Sequence, residues 1–293
     1  MKTYTTNIVS RRETLALLSA MAIANTASAQ APLLRPLTLD HVNIHVSDVA
    51  KAADFYSNLL SGSVLKIASQ AANPTSIPGP LVDVKAGSNY LVISHAFPQD
   101  GPPGLDHICY GIEDYRALID TKLNTNGLQI VGRPYPTNDI FIRDPDGTLI
   151  QLRPPGGWAR LTSNFGAVAL ESTPVKGAPL VPTAINYIRL RVADLSRSAQ
   201  FYQWLFGTET SSPDPNVSRK FRNGDSLLEL IPTRAGSTSS APGIDLMGVM
   251  FSDFSPPSAL EILRERGIGA RVISGRLVAS DPDGLQIMLS GTE

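Results

Sequence analysis

The sequence predicts an α+β fold of tandem βαβββ modules, four in total, each pair forming a curled mixed sheet around a cup. Three observations carry this. The segment LDHVNIHVSDVAKAADFYSNLL (39–60) aligns without a gap on INYIRLRVADLSRSAQFYQWLF (185–206). GLDHICYGIED (104–114) matches GIDLMGVMFSD (243–253), so each copy twice starts a strand followed by a helix. RDPDGTLIQL (143–152) matches SDPDGLQIML (280–289), which sets a hairpin near the end of each copy. Self-similarity of this kind marks one supersecondary unit used repeatedly.

Each element has a local cause. Residues 39–46 alternate as a half-buried strand. Ser47 or Asp48 caps the helix that follows, accepting the orphan N–H groups of its first turn. Val49, Ala52, Ala53, Tyr56, Leu59 and Leu60 recur at helical spacing and form one apolar face. The Phe-Tyr pairs, Phe55-Tyr56 and Phe201-Tyr202, read as helix core rather than function. Gly62 fits the helix end. Short strands are expected at 63–68, 81–86 and 90–96. The unit restarts at Leu105, with a helix over 114–125 and strands at 128–131, 138–143 and 148–153. In DPDG, Asp-Pro and Asp-Gly form the turn and Gly supplies its positive φ. Loops 69–80 and 132–138, rich in Pro, Asn, Ser and Gly, are candidate lids.

Bulk properties bound the rest. The chain has 293 residues, 42% of them hydrophobic, with a net charge of -1. That balance supplies no field for nucleic acid or an anionic membrane. Cys109 is the one cysteine, so no intrachain disulfide forms. Residues 1–29 read as an export signal: Arg11-Arg12, an apolar run from Leu15 to Ala24, then Ala27-Ser28-Ala29 as a small-x-small cleavage site. The paired arginines after Ser10 resemble a twin-arginine (Tat) signal, with Thr14 where a large apolar residue is usual; a general secretory signal is the alternative. The apolar run is about half the roughly 20 residues that a transmembrane helix needs. The expected location is therefore periplasmic or secreted. The domain reading is 36–154, a linker over 155–181 whose Trp158 and Phe165 suggest packing, and 182–291. Monomer and homodimer are both open.

Asp40-His41-Val42, the Phe55-Tyr56 helix, Asp106-His107-Ile108 and the Asp144-Pro145-Asp146-Gly147 hairpin together resemble the vicinal oxygen chelate superfamily, which includes glyoxalase I, bleomycin-resistance proteins and extradiol dioxygenases. The resemblance spans essentially the whole mature chain. It implies metal ligands from the first and last strands of each module, pointing into the cup. Carried onto this sequence, these are His41, His107 and Gln151, with Val92 at the fourth place, where no ligand atom is available. The implied cofactor is one divalent metal ion (Fe(II), Mn, Zn or Ni), acting as a Lewis acid or, as Fe(II), toward O2. Dioxygenase-like members carry two His and a carboxylate; here the third donor is a neutral amide. In the second copy the same places hold Tyr187, Leu246 and Met288, with Glu229 at the place that Val92 holds in the first. The resemblance thus implies a metal-dependent dioxygenase, or a glyoxalase- or lyase-like enzyme, acting on a small oxygenated substrate. The alternative is a metal-free small-molecule binding protein of the bleomycin-resistance type.

Other candidates follow from the strand period. His45 shares a face with His41 and is a general base or a polar lining of the cup. Asn43, between them, can donate to a substrate oxygen. Cys109 shares a face with His107 and either contacts substrate or fills space. Tyr110 should face the other way, toward a helix. Arg143 pairs with a substrate carboxylate or with Asp144 or Asp146. His95, at a strand end, is expected at the surface.

Overall fold

The computed structural model describes residues 31–61, 64–67, 81–96, 102–113, 115, 128, 130–131, 140–156, 168–169, 180–233, 241–273 and 275–292. The export segment, both candidate lids, Gly62, Trp158, Phe165 and all of the 114–125 helix except Tyr115 lie outside these residues. Pro32–Glu293 is one compact unit.

The first copy comprises β1 (Pro36–Val46), α1 (Val49–Leu60), β2 (Val64–Ile67), β3 (Leu81–Ala86), β4 (Asn89–His95), β5 (Gly104–Ile112), β6 (Ile140–Arg143) and β7 (Leu149–Arg153). A short β8 (Val168–Ala169) pairs with β2. The second copy comprises β9 (Pro182–Val192), α2 (Leu195–Phe206), β10 (Glu209–Thr210), β11 (Arg219–Asn223), β12 (Ser226–Pro232), β13 (Gly243–Phe251), α3 (Pro256–Glu265), β14 (Ala270–Ile273), β15 (Arg276–Ser280) and β16 (Gln286–Gly291). Three βαβββ units thus have all five of their elements among the described residues. Of the expected 128–131 strand, Ile130 makes an isolated bridge to Ile142.

Each copy is a mixed sheet of eight strands, ordered β6-β7-β5-β1-β4-β3-β2-β8 and β10-β11-β12-β9-β13-β16-β15-β14. At the centre of the first, β1 and β5 are antiparallel, flanked by β4 and β7 in parallel pairing. The second repeats this with β9 and β13 flanked by β12 and β16.

The caps explain where the helices begin and end. Asp48, in extended conformation, accepts the N–H of Lys51 at 3.0 Å, and Asp194 does the same for Arg197. Such a cap stabilises a helix by about 1 kcal/mol. At the C-terminus of α1 the left-handed residue is Ser61 (φ 47°), one position before the Gly62 expected there. Gly207 (φ 63°) holds the matching place in α2. The Ser61 hydroxyl accepts N–H bonds from Leu180 and Arg266.

One face of each sheet is apolar. Val42, Ile44, Leu91, Ile93, Ile108 and Ile150 pack with Ala52, Tyr56, Leu59 and Leu60 of α1, in a core continuous with that of the second copy. Tyr110 faces away from the cup, as its period requires, and its ring meets Phe206 of α2 edge-on at 5.2 Å. The DPDG turns form as the sequence predicts, with Gly147 at φ 92° and Gly284 at φ 94°. In both, the first aspartate braces the turn, Asp144 accepting the N–H groups of Asp146 and Thr148, Asp281 those of Asp283 and Leu285. Each also takes a hydroxyl from the other copy: Tyr202 donates to Asp144 at 3.0 Å and Tyr56 to Asp281 at 2.9 Å. The Phe-Tyr tyrosines are therefore core residues whose polar tips join the copies.

Candidate metal centre

The site begins with two β-bulges. Along β1 and β5, Leu39 opposes Tyr110 and His41 opposes Cys109, so Asp40 is the extra residue. Farther along, Asn43 opposes His107 and Ile44 opposes Leu105, which leaves Asp106 as the extra one. A bulge frees a residue from the ladder and re-aims its side chain. Each freed aspartate turns to the histidine that follows it. Asp40 meets His41 Nδ1 at 2.9 Å and Asp106 meets His107 Nδ1 at 2.5 Å.

These carboxylates fix which ring nitrogen carries the proton. Burial pushes the His41 pKa down to about 4 against the hydrogen bond it gives to Asp40, and the nearby Arg153 charge lowers it further. At neutral pH the ring is uncharged, with its one N–H on Nδ1 facing Asp40. Burial pushes the Asp106 carboxyl up, but the hydrogen bond and charge of His107 outweigh it and hold it below the usual range. An ionised carboxylate only accepts, so His107 also carries its proton on Nδ1. The two Nε2 atoms converge to 3.0 Å, and each presents a lone pair when its ring is neutral with the proton on Nδ1. A carboxylate behind a histidine whose other nitrogen is free to ligate is the usual support for a metal-binding imidazole. An ion about 2.1 Å from each nitrogen, at an angle of about 90°, sets them about 3.0 Å apart. The pair fits a metal.

Gln151 completes the row. Across three adjacent strands His41 opposes Cys109 and Cys109 opposes Gln151. Gln151 is 2% exposed, and its Oε1 is buried without a hydrogen-bond partner. A buried unsatisfied amide oxygen is costly unless something else uses it. Val92 is buried on the same face, opposite Asn43, and has no donor atom. Asp40, His41 and Cys109 also bring ligand-type atoms within 4.8 Å of one another. Because Asp40 is already bonded to His41 Nδ1, that trio marks the support behind the ligand nitrogen rather than a rival centre.

The remaining sequence candidates are distributed around this pair. Asn43 is buried and accepts the Ser94 hydroxyl at 3.1 Å. His45 lies at the cup edge, its Nε2 3.5 Å from Asp106, so one carboxylate serves His45 and His107 together. Cys109 is fully buried. Arg143 is exposed and bonds neither Asp144 nor Asp146 in the described contacts; its Nη1 donates to the Gly147 carbonyl at 2.7 Å. His95 is half-buried. Phe141, opposite Gln151 in the ladder, meets the His107 ring edge-on at 5.2 Å.

Sequence reasoning passed over two features. The bulged aspartates were visible as a twice-used Asp-His dipeptide, but the ladder shift that turns them was not. Arg153, 2% exposed and two residues beyond Gln151 on the same face, puts a cation beside His41. Period two along β7 was enough to find it.

The second cup has the same bulges with different contents. Asn186 and Asp245 are its extra residues, and Asp245 binds Arg189 and Arg191. Tyr187, Leu246, Met288 and Val278 form a closed apolar cluster of their own. Three of these stand where the first copy has His41, His107 and Gln151. The Tyr187 hydroxyl donates to Glu229; burial and that carboxylate both push its pKa up.

Residues 38–152 match the sequence model of the Glyoxalase/Bleomycin resistance protein/Dioxygenase superfamily. That stretch therefore carries the sequence pattern of the superfamily's domain. A "Glyoxalase domain-containing protein RDO1" from Mycosarcoma maydis is 28% identical over 141 residues, which is 46% of this chain and 77% of the relative. Solved structures share the fold over most of the chain. A variant of 4-hydroxymandelate synthase from Streptomyces coelicolor superposes with a TM-score of 0.60 at 15% identity, over 87% of this chain and 92% of that one. A catechol 2,3-dioxygenase gives 0.59 at 13% identity, over 89% of each chain. A Mn(II)-bound glyoxalase from Novosphingobium aromaticivorans gives 0.59 at 14% identity, over 88% and 83%.

Proposed function

We propose that the first copy binds one divalent metal ion through His41, His107 and Gln151 and acts as a metal-dependent enzyme on a small, oxygen-rich substrate. The observation that carries this is the convergence of two Nε2 atoms, each on a ring whose Nδ1 is held by its own aspartate. The Mn(II)-bound glyoxalase and the catechol dioxygenase among similar structures support the reading. Two imidazoles and an amide oxygen suit Mn(II), Fe(II), Zn(II) or Ni(II). When bound, the ion supplies Lewis-acid polarisation of substrate oxygens.

The chain's own residues divide the remaining work. The Ser94 hydroxyl holds the Asn43 amide by its oxygen, which leaves Nδ2 as the edge that donates to substrate. His45, against Asp106 at the half-open edge, is placed to take or return a proton. Arg153 balances a substrate anion from inside the cup.

A bidentate oxygen probe tests this reading against metal-free binding. Acetohydroxamate, titrated calorimetrically, should bind the Mn(II)-loaded protein and not the metal-stripped protein. Equal binding to both forms would instead favour a metal-free binding protein.

We propose further that residues 1–29 direct export, through Arg11-Arg12 on the twin-arginine route, which carries folded proteins. Retained protein after replacement of both arginines by lysine supports this; unchanged export contradicts it. Among the described residues, no helix is long and apolar enough to cross a membrane.

A further inference from the structure

We propose that the second copy fixes the β6–β7 hairpin that delivers Gln151, with Tyr202 and Arg197 of α2 as positioning residues; this rests on Gln151 being a metal ligand.

The hairpin needs an outside brace. Among the described residues β6 is the last named strand of its sheet, with only Ile130 and Val131 joined to it beyond, so β7 is held by β5 on one side and by this thinly supported strand on the other. Gln151 follows Gly147 of the DPDG turn by four residues. A ligand atom must be held to within about 0.5 Å to serve a metal well. The brace comes from α2. Tyr202 donates to Asp144 Oδ2 at 3.0 Å, while Asp144 Oδ1 ties the turn together. Asp146, its side chain only 3% exposed, takes Arg197 Nη2 at 2.8 Å, the Ala193 N–H at 3.0 Å and the Ser198 hydroxyl at 3.3 Å. Arg197 also reaches the Pro145 carbonyl at 3.3 Å. Charge-assisted bonds to a buried carboxylate are the stronger kind.

The pseudo-symmetric contact shows what docking alone requires. There Tyr56 donates to Asp281, and Asp283 takes the N–H and hydroxyl of Ser47. The places of Arg197 and Ser198 are held by Lys51 and by Ala52, which has no hydroxyl. That lighter grip holds a hairpin whose strand carries Met288, a plug residue. The heavier grip falls on the hairpin whose strand carries a ligand donor.

The two contacts form a matched experiment. Tyr202→Phe, Arg197→Ala and Tyr56→Phe would each be measured for urea stability, Mn(II) affinity and amide hydrogen exchange over residues 144–153. Both tyrosine variants should lower the urea midpoint to a similar extent. Tyr202→Phe and Arg197→Ala should also weaken Mn(II) binding by about tenfold, the low end for residues behind a ligand, and speed exchange in the hairpin. Tyr56→Phe should leave Mn(II) affinity at the wild-type value. Wild-type affinity in Tyr202→Phe and Arg197→Ala, or an equal loss in Tyr56→Phe, would overturn the proposal. If the wild-type protein binds no Mn(II), the ligand reading fails and exchange decides: faster exchange over 144–153 in Tyr202→Phe supports the positioning role, and unchanged exchange removes it.

Discussion

In the proposed metal site, His41 and His107 are oriented by an aspartate that precedes each of them in sequence and that a bulge brings round in space. The dipeptide is legible in the chain. The bulge is not, because it depends on how β1 and β5 slip against one another, and ladder register is a property of the pair. Gln151 is the residue on which the site's strength turns. A neutral amide oxygen gives the ion no charge compensation, so Gln151→Glu should tighten Mn(II) binding by about tenfold, the scale on which ligand-shell changes act. Gln151→Leu should weaken it. A metal titration in which both variants match the wild-type affinity would remove Gln151 from the ligand set.

At the scale of elements, the hairpins were legible and their partners were not. DPDG announces its own turn, because each feature it needs lies within four residues. Nothing local says that Tyr56 and Tyr202 reach across to those turns, since the contacts join residues 225 and 58 positions apart. The crossed contacts have a pH signature. Burial, the dominant cause, raises the carboxyls of Asp144 and Asp281 in the folded protein. Between the ordinary aspartate value of about 3.9 and the raised one, the native state keeps protons that the unfolded chain has released. The stability from these groups is fully present below that ordinary value and is lost as pH rises through the raised values. In urea unfolding between about pH 4 and pH 7, the Asp144→Asn, Asp281→Asn double variant should therefore lose less stability than the wild-type protein. An unchanged difference between the two pH values would contradict the assignment.

At the scale of the molecule, the duplication was the most legible feature, because the repeat places strands, caps and turns twice over. What the repeat could not show is how its copies share one core and brace each other's hairpins. The divergence of the cups was readable residue by residue as His41, His107 and Gln151 against Tyr187, Leu246 and Met288. The structure adds that the second set closes on itself as an apolar plug. The cup positions of one copy thus hold polar, convergent side chains, and those of the other a buried apolar cluster. The most direct test of that account is elemental analysis of the purified protein after reconstitution with Mn(II), Fe(II), Zn(II) or Ni(II), alongside His41→Ala and Tyr187→Phe. The account predicts one ion per chain in the wild-type protein and in Tyr187→Phe, and none in His41→Ala. A wild-type protein that takes up no stoichiometric metal, or a His41→Ala protein that retains it, would contradict it.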